Sequence, residues 1–174
     1  MTDINTDVMN KIYLYQAYRY AESKSLDPST QNAALLLHPN PDIGIIVKAV
    51  NGLPEGGLSN RMDLYESEHK YMYVEHAERN AIYKAANRGV ITQGLTMYCP
   101  WICCADCARA IVQAGIKKVV GHLNLCQKTP DRWKESTDIG LSILKQSGVQ
   151  VALWPGDVSE GKVKIRFNGG TFIP

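Results

Sequence analysis

The chain has 174 residues, 45% of them hydrophobic and 21% charged, with a formal net charge of +2. That length fits one domain with a sizeable core, and the small net charge argues against a broad nucleic-acid or membrane surface. No apolar run approaches the ~20 residues of a membrane span, and the opening MTDINTDVMNK is acidic without an apolar h-region, so no secretory leader is expected there.

In chain order, residues 9–23 place Ile12, Tyr15 or Gln16, Tyr18 or Arg19, and Ala21 or Glu22 at near-helical spacing, which predicts an amphipathic first helix. The stretch 23–31, with Asp27-Pro28-Ser29, ends it as a loop. Two apolar runs, Ala33 to Leu37 and Ile43 to Val50, flank His38-Pro39-Asn40-Pro41-Asp42 and read as a hairpin with its prolines in the turn. Asn51 to Gly57 reads as a loop, and polar sequence continues to about Lys70. Residues 75–88 form a predicted helix stopped by Gly89. A strand at 96–99, a helix at 104–114 closed by Gly115, and a strand at 116–122 follow. Thr129-Pro130-Asp131 opens a helix that runs to about Gln146. Val149 to Trp154 reads as the next strand, with 162–167 as a candidate short addition. This order predicts an α/β fold: a mixed five-stranded sheet, the hairpin at its antiparallel edge, covered by helices in three layers, α/β/α. A single domain over residues 1–174 is expected.

Five cysteines are present, and Cys99, Cys103, Cys104 and Cys107 crowd into nine positions. Such clustering points to metal binding in a reducing compartment, hence the cytoplasm, rather than to a disulfide framework. His76-Ala77-Glu78 and Cys104-Ala105-Asp106-Cys107 supply an imidazole and two thiolates, each at a predicted helix start. Three such ligands suit Zn2+ with its fourth tetrahedral position open to water. Zinc lowers the pKa of a bound water to about 7. Glu78, one residue removed from a ligand, is free to shuttle protons. Alone, His-x-Glu reads as a capping or solvated pair, and Cys-x-x-Cys as structural zinc or buried thiols. The combination at two helix starts favours a catalytic ion. Cys99 and Cys126 read as core thiols, Cys103 as a side chain pointing elsewhere, and His38, His69 and His122 repeat no metal-like spacing.

These residues resemble the cytidine/deoxycytidylate deaminase family, and within it the deoxycytidylate branch. The similarity runs from about Ala33 to Trp154. It is densest at His76-Ala77-Glu78-Arg79-Asn80-Ala81-Ile82, Met97-Tyr98, Cys104-Ala105-Asp106-Cys107-Ala108-Arg109-Ala110-Ile111 and Gln113 to Val120. The resemblance implies a cytidine deaminase-like fold, His76, Cys104 and Cys107 as zinc ligands, and Glu78 as proton shuttle. It also implies Asn51 and Ala77 as substrate contacts, Asn51 through the nucleotide sugar, although Asn51-Gly52 is also a turn signal in itself. The implied reaction is hydrolytic deamination of a cytosine nucleotide, dCMP to dUMP, by a homo-oligomer, hexamer or tetramer. Cys103 stands where the family usually has proline, and Trp101 reads either as a wall for a flat base or as core. Arg61, Lys70 and Arg88 are candidate phosphate cations, each equally readable as a charged surface residue. Competing readings are a deaminase of a cytosine nucleoside, base, modified nucleotide or dCTP, a single-strand nucleic-acid deaminase, and a non-catalytic zinc-binding domain. A nucleic-acid deaminase would want a basic groove with interleaved aromatics, which scattered charges do not provide. Structural zinc has no use for Glu78.

Overall fold

The computed structural model describes residues 4–174, with side chains from Thr6 onward. Residues 1–3, where the stretch read for a leader begins, lie outside the described residues. The first helix, α1, spans Ile4–Lys24, and a hairpin follows: β1 (Ala33–Leu37) pairs antiparallel with β2 (Ile45–Val50). Every residue of β1 is buried, because alternate side chains serve opposite faces of the sheet. Ala33, Leu35 and Leu37 pack with Leu14, Ala17, Tyr18 and Ala21 of α1. Ala34 and Leu36 point to the other core, built on Ala77, Ala81, Ala85, Cys107 and Ile111.

Two four-residue helices, α2 (Asp63–Glu66) and α3 (Lys70–Tyr73), precede α4 (Ala77–Asn87) and β3 (Thr96–Tyr98). Then come α5 (Ala105–Gln113), β4 (Lys118–His122), the short α6 (Leu123–Cys126), α7 (Asp131–Gln146) and β5 (Gln150–Trp154). A separate hairpin, β6 (Ile165–Phe167) with β7 (Gly170–Phe172), ends the order. The main sheet runs β2-β1-β3-β4-β5, antiparallel across β2-β1-β3 and parallel across β3-β4-β5. The helices α5 and α7 are the crossovers that parallel neighbours require. With α1 and the second hairpin on one face and α4, α5 and α7 on the other, the expected three-layer arrangement is present. Because β2 points the same way as β3, the ends of β2, β3 and β4 all fall on one edge of the sheet.

Four sequence expectations are corrected. The first helix begins earlier than residue 9 and buries Leu14, Ala17, Tyr18 and Ala21, while Ile12 is exposed. Its apolar residues sit on more than one face, so spacing alone could not choose the stripe. The polar stretch before Lys70 holds α2, and α3 starts at that lysine; four-residue helices carry no readable period. The hairpin's second strand starts at Ile45, after Gly44 takes a left-handed turn at φ +70°. The short strand read at 162–167 is β6, joined not to the main sheet but to β7.

Under β4 lies a buried polar pair. The Tyr18 hydroxyl donates to His122 Nδ1 at 2.7 Å, and His122 Nε2–H donates to the Gly156 carbonyl at 2.9 Å. Burial, followed by the nearby Cys126 and Cys99 thiols, holds the Tyr18 pKa well above its ordinary value, so the phenol stays a donor. Burial lowers the His122 pKa. The folded protein therefore takes up this proton less readily than the unfolded chain. The resulting stability is full above the unfolded value of about 6.5 and is lost as pH falls below it. Thermal melts of wild type and His122→Gln across pH 5 to 8 should show a steeper acid-side loss in wild type; parallel curves would contradict this.

Candidate active site

Two loop-to-helix junctions meet at the strand-end edge. His76 and Cys104 are the N-cap residues of α4 and α5, each with extended backbone (ψ 152° and 168°) and neither using its side chain as a cap. Their side chains turn instead toward each other. Cys104 Sγ and Cys107 Sγ lie 3.4 and 3.5 Å from His76 Nδ1. The three donor atoms fall within 4.8 Å of one another and could hold a metal ion. A tetrahedral zinc with Zn–S ~2.3 Å and Zn–N ~2.0 Å sets S···N at roughly 3.5 Å, so the donor set fits that ion. Cys103 is buried beside this cluster but is not part of it.

Electrostatics at the trio follow from packing. Considered as thiols alone, Cys104 and Cys107 share one proton. The hydrogen bond from Cys107 holds the Cys104 pKa down at about 4 against burial, with His76 assisting. The same hydrogen bond, with burial, pushes Cys107 up. For His76, burial alone would lower the pKa, but its hydrogen bond to Cys104 and the Glu78 and Cys104 charges raise it. A helix N-terminus also favours the thiolate. Glu78, in the first turn of α4, is 2% exposed. Burial raises its pKa to about 7, opposed chiefly by His76.

His76, Glu78 and Cys104 open into a cavity of about 650 Å³, counting the space that continues into solvent. Ala77, Cys103 and Asn51 also line it, as do Trp101 and Trp133. Trp101 donates its indole N–H to Thr129 Oγ1 at 2.9 Å and meets Phe167 edge-on at 5.0 Å. It is thus both core and wall. Trp133, in the first turn of α7, stands edge-on to His76 with centroids 5.6 Å apart. Its approach depends on Gly140: a Cβ there would collide with the Cys103 carbonyl and come within 3.0 Å of the Cys104 carbonyl group. Ser136 of the same helix accepts the Ala105 N–H at 3.2 Å, capping α5 from outside.

Asn51 follows β2 at the same edge. Its Nδ2 donates to Thr30 O (2.7 Å) and Asp27 Oδ2 (3.2 Å), and its Oδ1 accepts from Asn32 N–H (2.8 Å) and Ser25 Oγ (2.9 Å). The amide is fully engaged by the loop it shapes. Lys70 also reaches the cavity, whereas Arg61 is paired with Asp63 on the surface, and neither it nor Arg88 lines the wall. Sequence reasoning missed Asp27, Tyr71, Arg132 and Trp133. The Thr129-Pro130-Asp131 helix start was a usable signal for the last two, since clefts in α/β sheets form where strands end and helices begin.

The family described as the cytidine and deoxycytidylate deaminase zinc-binding region matches residues 9–123. The chain belongs to this family. It is an enzyme, a hydrolytic deaminase, and zinc is its metal. A protein of Aliivibrio fischeri described as a deaminase in the luxG 3′ region is 33% identical over 147 residues, covering 83% of this chain and 92% of that one. The deoxycytidylate deaminase of Enterobacteria phage T2 is 40% identical over 102 residues, covering 55% of this chain and 50% of the relative. The chain thus matches about half the length of that curated deoxycytidylate deaminase. The solved dCMP deaminase of cyanophage S-TIM5 shares the fold, with a TM-score of 0.59 at 23% identity over 84% of this chain and 97% of that one.

The donor geometry makes a separable prediction. Cys104→Ala and Cys107→Ala should each lose zinc as measured by elemental analysis, with a fall in melting temperature. Cys126→Ala should keep zinc and cost roughly 1 kcal/mol as a small core defect. Equal zinc loss in Cys126→Ala would overturn the ligand set.

Proposed function

We propose that this chain, acting as one catalytic unit, hydrolytically deaminates a cytosine nucleotide, with dCMP to dUMP as its reaction. The observation that carries this reading is a buried carboxylate, Glu78, beside a His/Cys/Cys donor trio at the floor of an aromatic-walled cavity. The matches to deoxycytidylate deaminases support the nucleotide. His76, Cys104 and Cys107 hold the zinc. Bound there, zinc supplies a Lewis acid that makes water nucleophilic at neutral pH.

The residues of the chain do the rest. Glu78 takes a proton from the water that attacks the ring carbon bearing the amine and delivers it to the adjacent ring nitrogen. It then transfers the second water proton to the departing amine, so cytosine and water become uracil and ammonia. Trp133 and Trp101 enclose the flat ring and exclude bulk water. Ala77, fully buried at the start of α4, leaves room for the base to approach the helix end. Asn51 serves the substrate through the loop wall that its amide fixes.

Purified protein offered cytidine and deoxycytidine compounds at each phosphorylation level should prefer dCMP over deoxycytidine by ~10⁴, as a site built for a polar group rejects a ligand lacking it. Glu78→Gln should retain zinc and fold but lose at least about 10⁴ in rate, the upper range for a group serving several proton transfers. Deoxycytidine turned over as well as dCMP, or activity confined to dCTP, would remove dCMP and leave deamination standing. Near-wild-type turnover by Glu78→Gln would remove the proposed proton carrier.

The chain also carries apolar residues that a second copy would cover. Met72 and Ile91 are 85% and 79% exposed, and Met62, Tyr71 and Tyr83 are exposed on α2 to α4 and the segments beside them. These exposures support a proposed homo-oligomer, tetramer or hexamer. Light scattering at micromolar concentration should give a multiple of 19.3 kDa; the monomer mass would refute it.

A further inference from the structure

The cavity wall holds two basic side chains, Lys70 and Arg132, and they differ in how they are partnered. Lys70 Nζ lies 2.7 Å from Asp27 Oδ1, with side-chain exposures of only 12% and 4%. The Asp27 carboxylate is further held by the Ser29 and Thr30 N–H groups at 2.8 and 3.1 Å and by Asn51 Nδ2 at 3.2 Å. Lys70 is therefore neutralised within the wall. Arg132, in the first turn of α7, lines the same cavity, is exposed, and forms no ion pair among the described residues. Its neighbour Asp131 is engaged by Lys134 at 2.6 Å. What Arg132 does meet is a neutral amide: its Nη2 donates to Asn168 Oδ1 at 2.7 Å. An amide oxygen orients a guanidinium without cancelling its charge, and most of the five-donor fork remains available.

Asn168 is itself fixed. It sits at φ +51° in the turn between β6 and β7. Its N–H donates to Thr30 Oγ1 at 3.1 Å, and the Gly169 N–H donates to the Ser29 carbonyl at 3.0 Å. The hairpin is thus sewn to the loop that forms the cavity wall. The next residue of α7, Trp133, stands against His76. His76, Glu78 and Arg132 line one cavity, so a ligand whose ring occupies the His76 and Glu78 end can present a substituent to Arg132.

We propose that Arg132 is a specificity-determining residue that receives an anionic substituent of the substrate, a phosphate, at the cavity mouth, with Asn168 as its positioning residue. This inference rests on the nucleotide reading above. Arginine suits the role because its planar fork engages two phosphate oxygens at once.

The test compares wild type, Arg132→Gln, Arg132→Lys and Asn168→Ala on dCMP and deoxycytidine, with zinc content and melting temperature recorded for each. Wild type should prefer dCMP, and its KM for dCMP should rise with salt. Arg132→Gln should shrink the preference for dCMP over deoxycytidine by about 10- to 100-fold, mainly through KM, and flatten the salt dependence. Arg132→Lys should recover part of the loss, and Asn168→Ala should show a smaller change in the same direction. A wild type that prefers dCMP and an Arg132→Gln variant that keeps the full preference would overturn this inference alone. So would equal losses on both substrates. A wild type without preference for dCMP would overturn the nucleotide reading, and the inference with it.

Discussion

Two buried sulfurs and an imbalance of charge constrain the carboxyl edge of the sheet. Cys104 and Cys107 come from one helix start and His76 from another, and their donor atoms meet at 3.4 and 3.5 Å. Two thiolates so close in a buried setting repel each other, and the thiols share a proton to avoid it. A divalent cation held by the three would relieve this repulsion and join α4 to α5. Metal affinity at such a site is folding free energy for the segments that converge on it. The sheet prepares the meeting: β2, β3 and β4 end on one edge, and Gly140 lets α7 press against the Cys103 and Cys104 backbone. A methyl group there would push α7, and with it Trp133, away from His76.

The opposite wall obeys a different rule, that buried polar groups must be fully partnered. Asp27 and Asn51 are 2% and 7% exposed, yet each is surrounded by donors and acceptors from Ser25 to Asn32, from Lys70 or from each other. The loop over residues 25–32 consequently has one low-energy shape. Arg166 extends the same network, donating from Nε to the Asp27 carbonyl at 2.9 Å. A cavity built this way is largely preformed, so a ligand spends little of its binding energy on ordering the wall.

This division explains what the residues alone could reveal. The clustering of His76, Cys104 and Cys107 was legible because each is marked by local chemistry, a helix start and a short spacing, that survives without tertiary knowledge. The mixed sheet with its antiparallel hairpin edge was legible because β1 and β2 flank a proline turn and β3 to β5 alternate with helices whose starts and stops are marked in the chain. The face of α1 was not, since Ile12, Tyr13, Leu14, Tyr15, Tyr18 and Tyr20 wrap most of the helix and only packing selects Leu14 and Tyr18. Asp27 read as an ordinary loop acid, and its role as a hub exists only once Lys70 and Asn51 arrive from 43 and 24 residues away. Trp101 was open between wall and core because both are true: its N–H and one edge are packed, and the remainder faces the cavity.

The stretch matched by the family ends at Leu123, and part of the cavity wall, with the hairpin that backs it, lies beyond it. Trp133 and Arg132 stand on α7, while Phe167 and Asn168 come from the β6–β7 hairpin. Proton transfer and metal ligation need fixed geometry at a few atoms, and those atoms all sit inside the shared stretch. Discrimination needs only a wall of suitable shape and charge, which can be supplied by any segment that reaches the mouth. Three contacts tie the hairpin to that wall: Asn168 accepts from Arg132, Phe167 packs on Trp101, and Thr30 holds the hairpin turn. On the proposed role of Arg132, substrate choice would be separable from the zinc chemistry, and changes in the hairpin would redirect the first without touching the second.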